Sequence, residues 1–404
     1  MRIARYLPPL VAIMILLAPV QASSDWIEFE TKVKILMRLC KFPSVSICLV
    51  KNDTIVYSKT FGYSNFYLRK KAERGTIYMI GSITKSIVAT ALMQLYEKGK
   101  FDLDDNINDY LPFKVVDPFF PERNITFRMI LAHQAGFNDF GLKLRYVLPI
   151  RLEARKGDYG YVLREMLTPQ GKWYSKGYWF RRYAPGEIAF YSELGAILAG
   201  YLVEILSNMS LEEYCRKYIF EPLEMYNTSF SMDKLDKRRM AQPYTYVGRL
   251  YLPMPKYEFY LLDPAGGIYS TAEDLSHFLI AHMNGGVYKG KRILNEETVR
   301  LMHEIQYPDS PDILFTPLFA GIVQVYHGLG WMRVKIFDVE LEGHTGADPG
   351  FNCHMYYIRG KKMGFVALAN SPFFIPALGS PVRTAIFYYL FIFSIIKELE
   401  DAGC

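Results

Sequence analysis

The stretch Tyr78–Gly99, YMIGSITKSIVATALMQLYEKG, places Ser82 and Lys85 three residues apart at the head of an apolar helix that Gly99 ends. At that spacing two side chains share one helix face. The helix start also aims free N–H groups and the positive end of its dipole at anything beside Ser82. Ser82 is therefore a candidate nucleophile with Lys85 as its helper, although a lysine ammonium accepts no proton until burial or a neighbouring cation lowers its pKa. The alternative is a helix that merely begins with a capping serine. The pattern S-x-x-K does not decide between them alone, because Ser231 and Lys234 repeat it in SMDKLDKRRM. That copy lies in a charged stretch with no apolar helix behind it. Ser82, by contrast, follows Gly81 and precedes Ile83, Ile87, Val88, Ala91, Leu92 and Leu95.

Upstream of this stretch, residues 25–39 carry apolar positions at helical spacing, and SVSICLV and TIVYSKT, joined by KND, read as a hairpin. Downstream the chain is mostly helical, with a second clear helix over 192–206 (SELGAILAGYLVEIL). Residues 139–184 hold the aromatic and basic run GKWYSKGYWFRRYAPG without either period, which reads as a loop over a site or as a surface excursion pinned by its aromatics. From about 321 strands return as GWMRVKIFDVEL, FNCHMYYI and GFVALAN, and a final helix is expected over 383–399. That helix contains AIFYYLFIFSII, apolar all round but short for a span, and is expected to pack on the sheet. The pattern predicts an α+β fold: one antiparallel sheet completed by both chain ends, flanked by N- and C-terminal helices, with a large helical insertion. The expected bounds are 23–80 and 255–404 for the sheet part and 81–254 for the helical part.

A chain of 404 residues, half of them hydrophobic, can bury a sizeable core. Its net charge of +6 is spread without dense basic runs, which argues against nucleic acid as a partner. Residues 1–22 read as a secretory leader, with Arg2 and Arg5 before LVAIMILLAPV and VQA at the cleavage position. An extracytoplasmic location follows, and an uncleaved leader would instead hold the chain at a membrane. The five cysteines, at 40, 48, 215, 353 and 404, are too few and too scattered for a disulfide framework, and Cys48 and Cys353 read as buried thiols. His277 and His282, five apart, would diverge on a helix, so no metal is expected. Asn-x-Ser/Thr sequons at Asn52, Asn124, Asn208 and Asn227 are short enough to arise by chance.

Two further features bear on chemistry. Tyr191, in APGEIAFYSELG, precedes the second helix; a phenol serves as a base only where cations hold it partly ionised, and Lys85 is one such cation. In a chain with 31 tyrosines it also reads as a capping or core residue. In EGHTGADPGF, Gly343 and Gly346 flank His344 and Thr345 after a long strand, so the backbone there can approach a ligand closely. The N–H groups of Ala347 and Ser82 would make a two-donor oxyanion hole. A tight turn with an exposed histidine is the plainer reading of the same residues.

Taken in order, SITK, YSE and HTG resemble the S-x-x-K, Y-x-N and K-T-G or H-x-G elements of the serine beta-lactamase and penicillin-binding-protein superfamily. The likeness is to its class C-like branch of esterases, D-amino-acid peptidases and beta-lactamases. FGYSN, MILAHQAGF, PAGGIYSTAEDLSHFL, GLGW and GHTGADPGF share it, so that it covers about residues 40–400. The resemblance implies a beta-lactamase/transpeptidase-like fold, no cofactor, and an acyl-serine mechanism on a small ester, amide or peptide. Ser82 would attack the carbonyl, Lys85 and Tyr191 would manage its proton, and the Ser82 and Ala347 amides would hold the oxyanion. Glu193, His344, Thr345 and Gly346 would line the substrate pocket, and His133 in LAHQAG is expected to be structural.

Two residues depart from the pattern. Glu193 stands where the family has asparagine, and His344 where beta-lactamases usually have lysine; both make the pocket less positive. Neutral esters or amides, or substrates bearing an ammonium, are then expected over carboxylate-bearing beta-lactams. Glu193 could also pair with Lys85 and hold it charged. A catalytically silent protein that keeps the fold for binding is the rival expectation. An alpha/beta-hydrolase is set aside, since no G-x-S-x-G elbow is present.

Overall fold

The computed structural model describes residues 26–139, 153, 155–247, 250–313, 323–336 and 339–370. The expected leader, the last helix over 383–399 and part of the 139–184 stretch lie outside them. Among the described residues no single helix is long and apolar enough to cross a membrane.

The strands in chain order are β1 (Ser44–Lys51), β2 (Thr54–Asn65), β3 (Lys70–Lys71), β4 (Tyr78–Met79), β5 (Tyr244–Val247), β6 (Leu250–Pro253), β7 (Tyr269–Ser270), β8 (Val287–Tyr288), β9 (Lys291–Arg292), β10 (Val323–His327), β11 (Met332–Ile336), β12 (Val339–Asp348), β13 (Phe351–Ile358) and β14 (Met363–Ala369). Eight form one antiparallel sheet in the order β10-β11-β12-β13-β14-β1-β2-β3. The N-terminal hairpin is thus zipped to the C-terminal meander through β1 and β14, where Val45 faces Ala369 and Lys51 faces Met363. The longer helices are α1 (Ile27–Cys40), α2 (Thr84–Glu97), α3 (Tyr159–Leu167), α4 (Glu193–Ser207), α5 (Ala272–Met283) and α6 (Glu296–His303).

Side-chain alternation along the strands sorts the core into two faces. Val45, Ile47 and Leu49 of β1 and Phe365 and Ala367 of β14 meet Phe29, Val33 and Leu36 of α1. Cys48, Val50, Val366 and Leu368 point the other way, into the larger core that includes α2, α4 and α5. This double burial is why β1 carries the continuous apolar run Ile47–Val50 rather than a strict alternation along its whole length. Cys40, Cys48, Cys215 and Cys353 are buried free thiols.

Within the helical part, α4 uses small residues for close packing: a Cβ on Gly195 would stand 2.9 Å from the Ile130 carbonyl oxygen. The aromatic run after residue 155 folds inward, with α3 followed by buried Trp173, Trp179 and Phe180. The indole N–H of Trp179 donates to the Trp173 carbonyl at 2.7 Å. Of the two readings of that segment, pinning by aromatics describes these residues. On the sheet, Glu342 of β12 anchors a buried polar cluster, bonding Arg333 at 2.6 Å, Arg359 at 3.1 Å and the Tyr357 hydroxyl. Its carboxylate lies 3.3 Å from His303.

Candidate active site

Gly81 opens a tight helical turn, Gly81–Ile83, that runs into α2. Its φ of +55° suits glycine, and a Cβ there would stand 2.5 Å from Asp348 Oδ2. Neither this turn nor α2 has a side-chain cap, so Ser82 is not the capping serine of the alternative reading. Its Oγ instead accepts from Lys85 Nζ at 3.0 Å.

Lys85 is buried, and its ammonium also donates to Glu193 Oε2 and to the Ala265 carbonyl, both at 2.7 Å. Those partners lie at the start of α4 and on the short helix Asp263–Gly266. Three acceptors around the nitrogen suit the ammonium form. Burial alone would lower the Lys85 pKa, but the charge of Glu193, with Tyr191 behind it, outweighs burial and holds it above the usual lysine range.

Tyr191 sits just before Ser192, whose hydroxyl caps α4. Its ring centre is 5.0 Å from Lys85 Nζ, and its phenol shares hydrogen bonds with Lys85 and Ser82. Burial raises the phenol above its ordinary value, Glu193 adds to that, and Lys85 only partly offsets it. The resting tyrosine is therefore neutral. His133 supports this corner from behind: its Nδ1 accepts from the Ser192 N–H at 3.1 Å, and its ring lies 4.4 Å from that of Tyr191. Burial first, then the nearby His327, Lys85 and His344, push its pKa well down.

Strand β12 brings the HTG segment alongside. Pairing with β11 stops at Gly343, so His344–Asp348 pair with β13 alone and turn their free edge to the Gly81–Ile83 turn. A Cβ on Gly346 would stand 1.9 Å from the Ile80 carbonyl oxygen and 3.3 Å from the Ser82 nitrogen. Only glycine permits that approach, and it sets the Ala347 and Ser82 amides at one corner, as a two-donor oxyanion hole requires.

His344 is buried within β12, not exposed on a turn. Its Nδ1 lies 2.6 Å from the Thr345 carbonyl oxygen, which assigns the proton there and leaves Nε2 as a bare acceptor. Nε2 is buried and has no hydrogen-bond partner among the described residues. Burial, then the charge of Lys85, pushes the ring pKa down to about 3, so His344 is neutral. Thr345 faces the other way, its hydroxyl 3.0 Å from His354 Nδ1.

A family model described as Beta-lactamase matches residues 29–380. The chain belongs to the beta-lactamase family. That family is one of serine hydrolases. Among curated relatives it is 23% identical over 379 residues to Protein flp of Staphylococcus aureus, covering 93% of this chain and 70% of that one. It is 26% identical over 324 residues to beta-lactamase-like protein 2 of Dictyostelium discoideum, covering 79% of this chain and 54% of the relative. Among solved structures, the octameric penicillin-binding protein homologue from Pyrococcus abyssi superposes with a TM-score of 0.72 and 27% identity, covering 91% of this chain and 77% of that one. The D-amino acid amidase from Ochrobactrum anthropi shares the fold at a TM-score of 0.68 and 20% identity, covering 91% and 99%.

Within this beta-lactamase-family site, sequence reasoning missed four groups. The Ala265 carbonyl is a backbone acceptor 180 residues from Lys85 and carries no side-chain signal. Asp139 accepts from the backbone N–H of Glu193 at 2.6 Å and from Ser192 Oγ at 2.9 Å, holding the head of α4; burial, then Glu193, raises it to about 6. His327 and Asp312 form a buried pair at 2.7 Å beside His133. Asp348, next to the oxyanion corner, has a buried Oδ2 without a hydrogen-bond partner among the described residues, and burial with the charge of Glu193 raises its pKa to about 7. Among the described residues no group of three or more His, Cys, Asp or Glu side chains is placed to hold a metal ion.

Proposed function

We propose that this chain is an exported serine hydrolase that cleaves an ester or amide through an acyl intermediate on Ser82. The observation that carries the proposal is the 3.0 Å bond between Ser82 Oγ and Lys85 Nζ, with Tyr191 on the same pair. Export rests on the leader-like residues 1–22 alone.

In the resting state Lys85 is a cation and Tyr191 a neutral phenol, so neither is ready to take the Ser82 proton. A substrate that engages Glu193 removes the counter-ion of Lys85. Burial then dominates, the Lys85 pKa falls, and the amine can receive the Ser82 proton as Oγ attacks the carbonyl. The oxyanion collects on the Ser82 and Ala347 amides. The leaving amine or alcohol takes the proton back as the acyl-serine forms, and water completes the cycle by the reverse proton route.

An ammonium group is suited to engage Glu193. His344 Nε2, an acceptor with no partner among the described residues, also suits a donor on the substrate, and Glu193 and His344 both work against a substrate carboxylate. An amino-acid amide, the class named for the Ochrobactrum anthropi fold neighbour, has that ammonium and a scissile carbonyl in one molecule. The second reading, a silent binding protein, is favoured by one observation: Glu193 holds Lys85 charged.

Hydrolysis of p-nitrophenyl acetate and butyrate by the wild type, Ser82→Ala and Ser231→Ala separates the two readings. Loss in Ser82→Ala alone supports the hydrolase. No turnover in any form leaves the binding protein. Among acyl substrates, kcat/KM should rank cationic and neutral above anionic, and a clear anionic preference would overturn the substrate class.

A further inference from the structure

Several exposed apolar side chains lie on hairpin β5–β6 and on the turn between β2 and β3 that packs against it. Among the described residues hairpin β5–β6 pairs with no other strand, and the turn after β2 packs against one of its faces. Phe66 meets the Tyr251 ring at 4.8 Å, and the Tyr67 hydroxyl donates to the Tyr251 carbonyl. The turn is held firmly. The Phe66 N–H donates to the Tyr244 hydroxyl at 2.8 Å and the Leu68 N–H to Asn65 Oδ1 at 3.0 Å.

What this scaffold presents is apolar: Leu68 is 77% exposed, Leu250 60%, Tyr67 54% and Leu252 42%. By register Leu250 and Leu252 lie on the hairpin face opposite Tyr251, so nothing of the β2 turn covers them. Exposed side chains of this size, held out on a hydrogen-bonded scaffold, mark an interaction surface.

Charge identifies the partner. Arg69, Lys70 and Lys71 are exposed around the turn, and Lys256 flanks the hairpin close enough for Lys70 to repel it. No acidic residue occurs from Thr54 to Ala72 or from Met240 to Tyr257. On the adjoining segment Asp233 is paired with Lys237 and Asp236 with Arg238, so neither neutralises the patch. Leucines and a tyrosine rimmed by lysine and arginine match a bilayer interface, where apolar groups enter the acyl boundary and cations meet anionic headgroups.

We propose that this hairpin and turn dock the protein on an anionic lipid surface. The base of the hairpin abuts the turn that ends the site strand: the Tyr257 hydroxyl donates to the Pro349 carbonyl at 2.8 Å, and Gly350 packs on Pro243. Docking would hold the Ser82 site near the membrane whether or not the leader is cleaved. The proposal is independent of the hydrolase reading.

The test is sedimentation of the full chain with phosphatidylcholine vesicles and with vesicles containing 30% phosphatidylglycerol, comparing the wild type with Lys70→Gln/Lys71→Gln and with Leu68→Ser/Leu250→Ser. Each basic residue near an anionic surface contributes about fivefold to partitioning, so the lysine pair should cost about 25-fold. The leucine pair should also weaken binding to anionic vesicles, while thermal midpoints and soluble-ester turnover stay at wild-type values. Wild-type-like partitioning of both variants would overturn the proposal, since another segment would then hold the membrane. So would equal binding to neutral vesicles, or retention on immobilised polyglutamate with none on vesicles, which would point to an acidic polymer.

Discussion

Two S-x-x-K tetrapeptides occur in this chain, and the fold treats them differently. At Ser82 the lysine is buried and turned back onto the serine oxygen, with Glu193 and the Ala265 carbonyl completing its shell. At Ser231 the hydroxyl accepts from the Asp233 N–H at 3.4 Å at the start of a short helical turn, and Lys234 reaches away to Glu212 at 3.2 Å. One pair is enclosed by distant elements, while the other is a surface cap and a surface ion pair. The spacing brings two side chains to one face; burial by the rest of the molecule decides whether they become a reactive pair.

The strand opposite Ser82 has no counterpart at Ser231, and removing its close approach is the severest way to erase the difference. Gly346→Ala places a Cβ against the Ile80 carbonyl and forces β12 away from Ser82. We expect kcat/KM on p-nitrophenyl acetate to fall about 100-fold, the scale of one lost oxyanion donor. Gly285→Ala serves as a control for glycine substitution away from the site.

Next in size is the cluster that braces the same strand. Burial would raise the Glu342 pKa, yet hydrogen bonds from His303 and Tyr357 and the charge of Arg333 outweigh it and hold the carboxyl at about 2. His303 is itself kept neutral by burial, so the arginines supply the positive charge. The folded pKa lies below the unfolded value of about 4.3, so Glu342 adds stability above that pH and loses it as pH falls toward 2. Glu342→Gln should cost about 3 kcal/mol at pH 7 and flatten the acid limb of a plot of urea-unfolding free energy against pH.

Glu193→Asn sharpens the comparison from the side of the lysine. Without the anion, burial governs Lys85 and its pKa falls, so the neutral amine appears at lower pH. The acid limb of the kcat/KM profile should move down by about one unit or more, with relief of the bias against anionic substrates. An unmoved profile would mean that Lys85 does not carry the titrating proton.

How much of this was legible in the sequence varies with how local the cause is. The sheet closed by both chain ends could be read because β1 and β14 are short, mostly apolar strands bounded by turns. The three motif residues Ser82, Lys85 and Tyr191 come together because each stands at the head of a helix whose start is marked by glycine or serine. The plainer alternative for His344, an exposed histidine on a tight turn, does not hold, because β12 runs on past Gly343 and the register with β13 buries the ring. The Ala265 carbonyl and the buried oxygen of Asp348 could not be read at all, since their meaning arises from contacts between segments far apart in the chain.

The smallest effects belong to the second tetrapeptide. Ser231→Ala removes a weak cap and should cost about 0.5 kcal/mol. Lys234→Ala breaks an exposed ion pair and should cost less than about 1 kcal/mol. Ester turnover should be unchanged in both, measured beside urea-unfolding midpoints.

The most direct test of the central claim, that enclosure makes Ser82 the nucleophile, is peptide-mapped mass spectrometry of the full chain after reaction with a fluorophosphonate. A single phosphonyl adduct on the Ser82 peptide, absent from Ser82→Ala and retained in Ser231→Ala, is the expected result. An adduct on any other serine, or an unlabelled wild type, would contradict it.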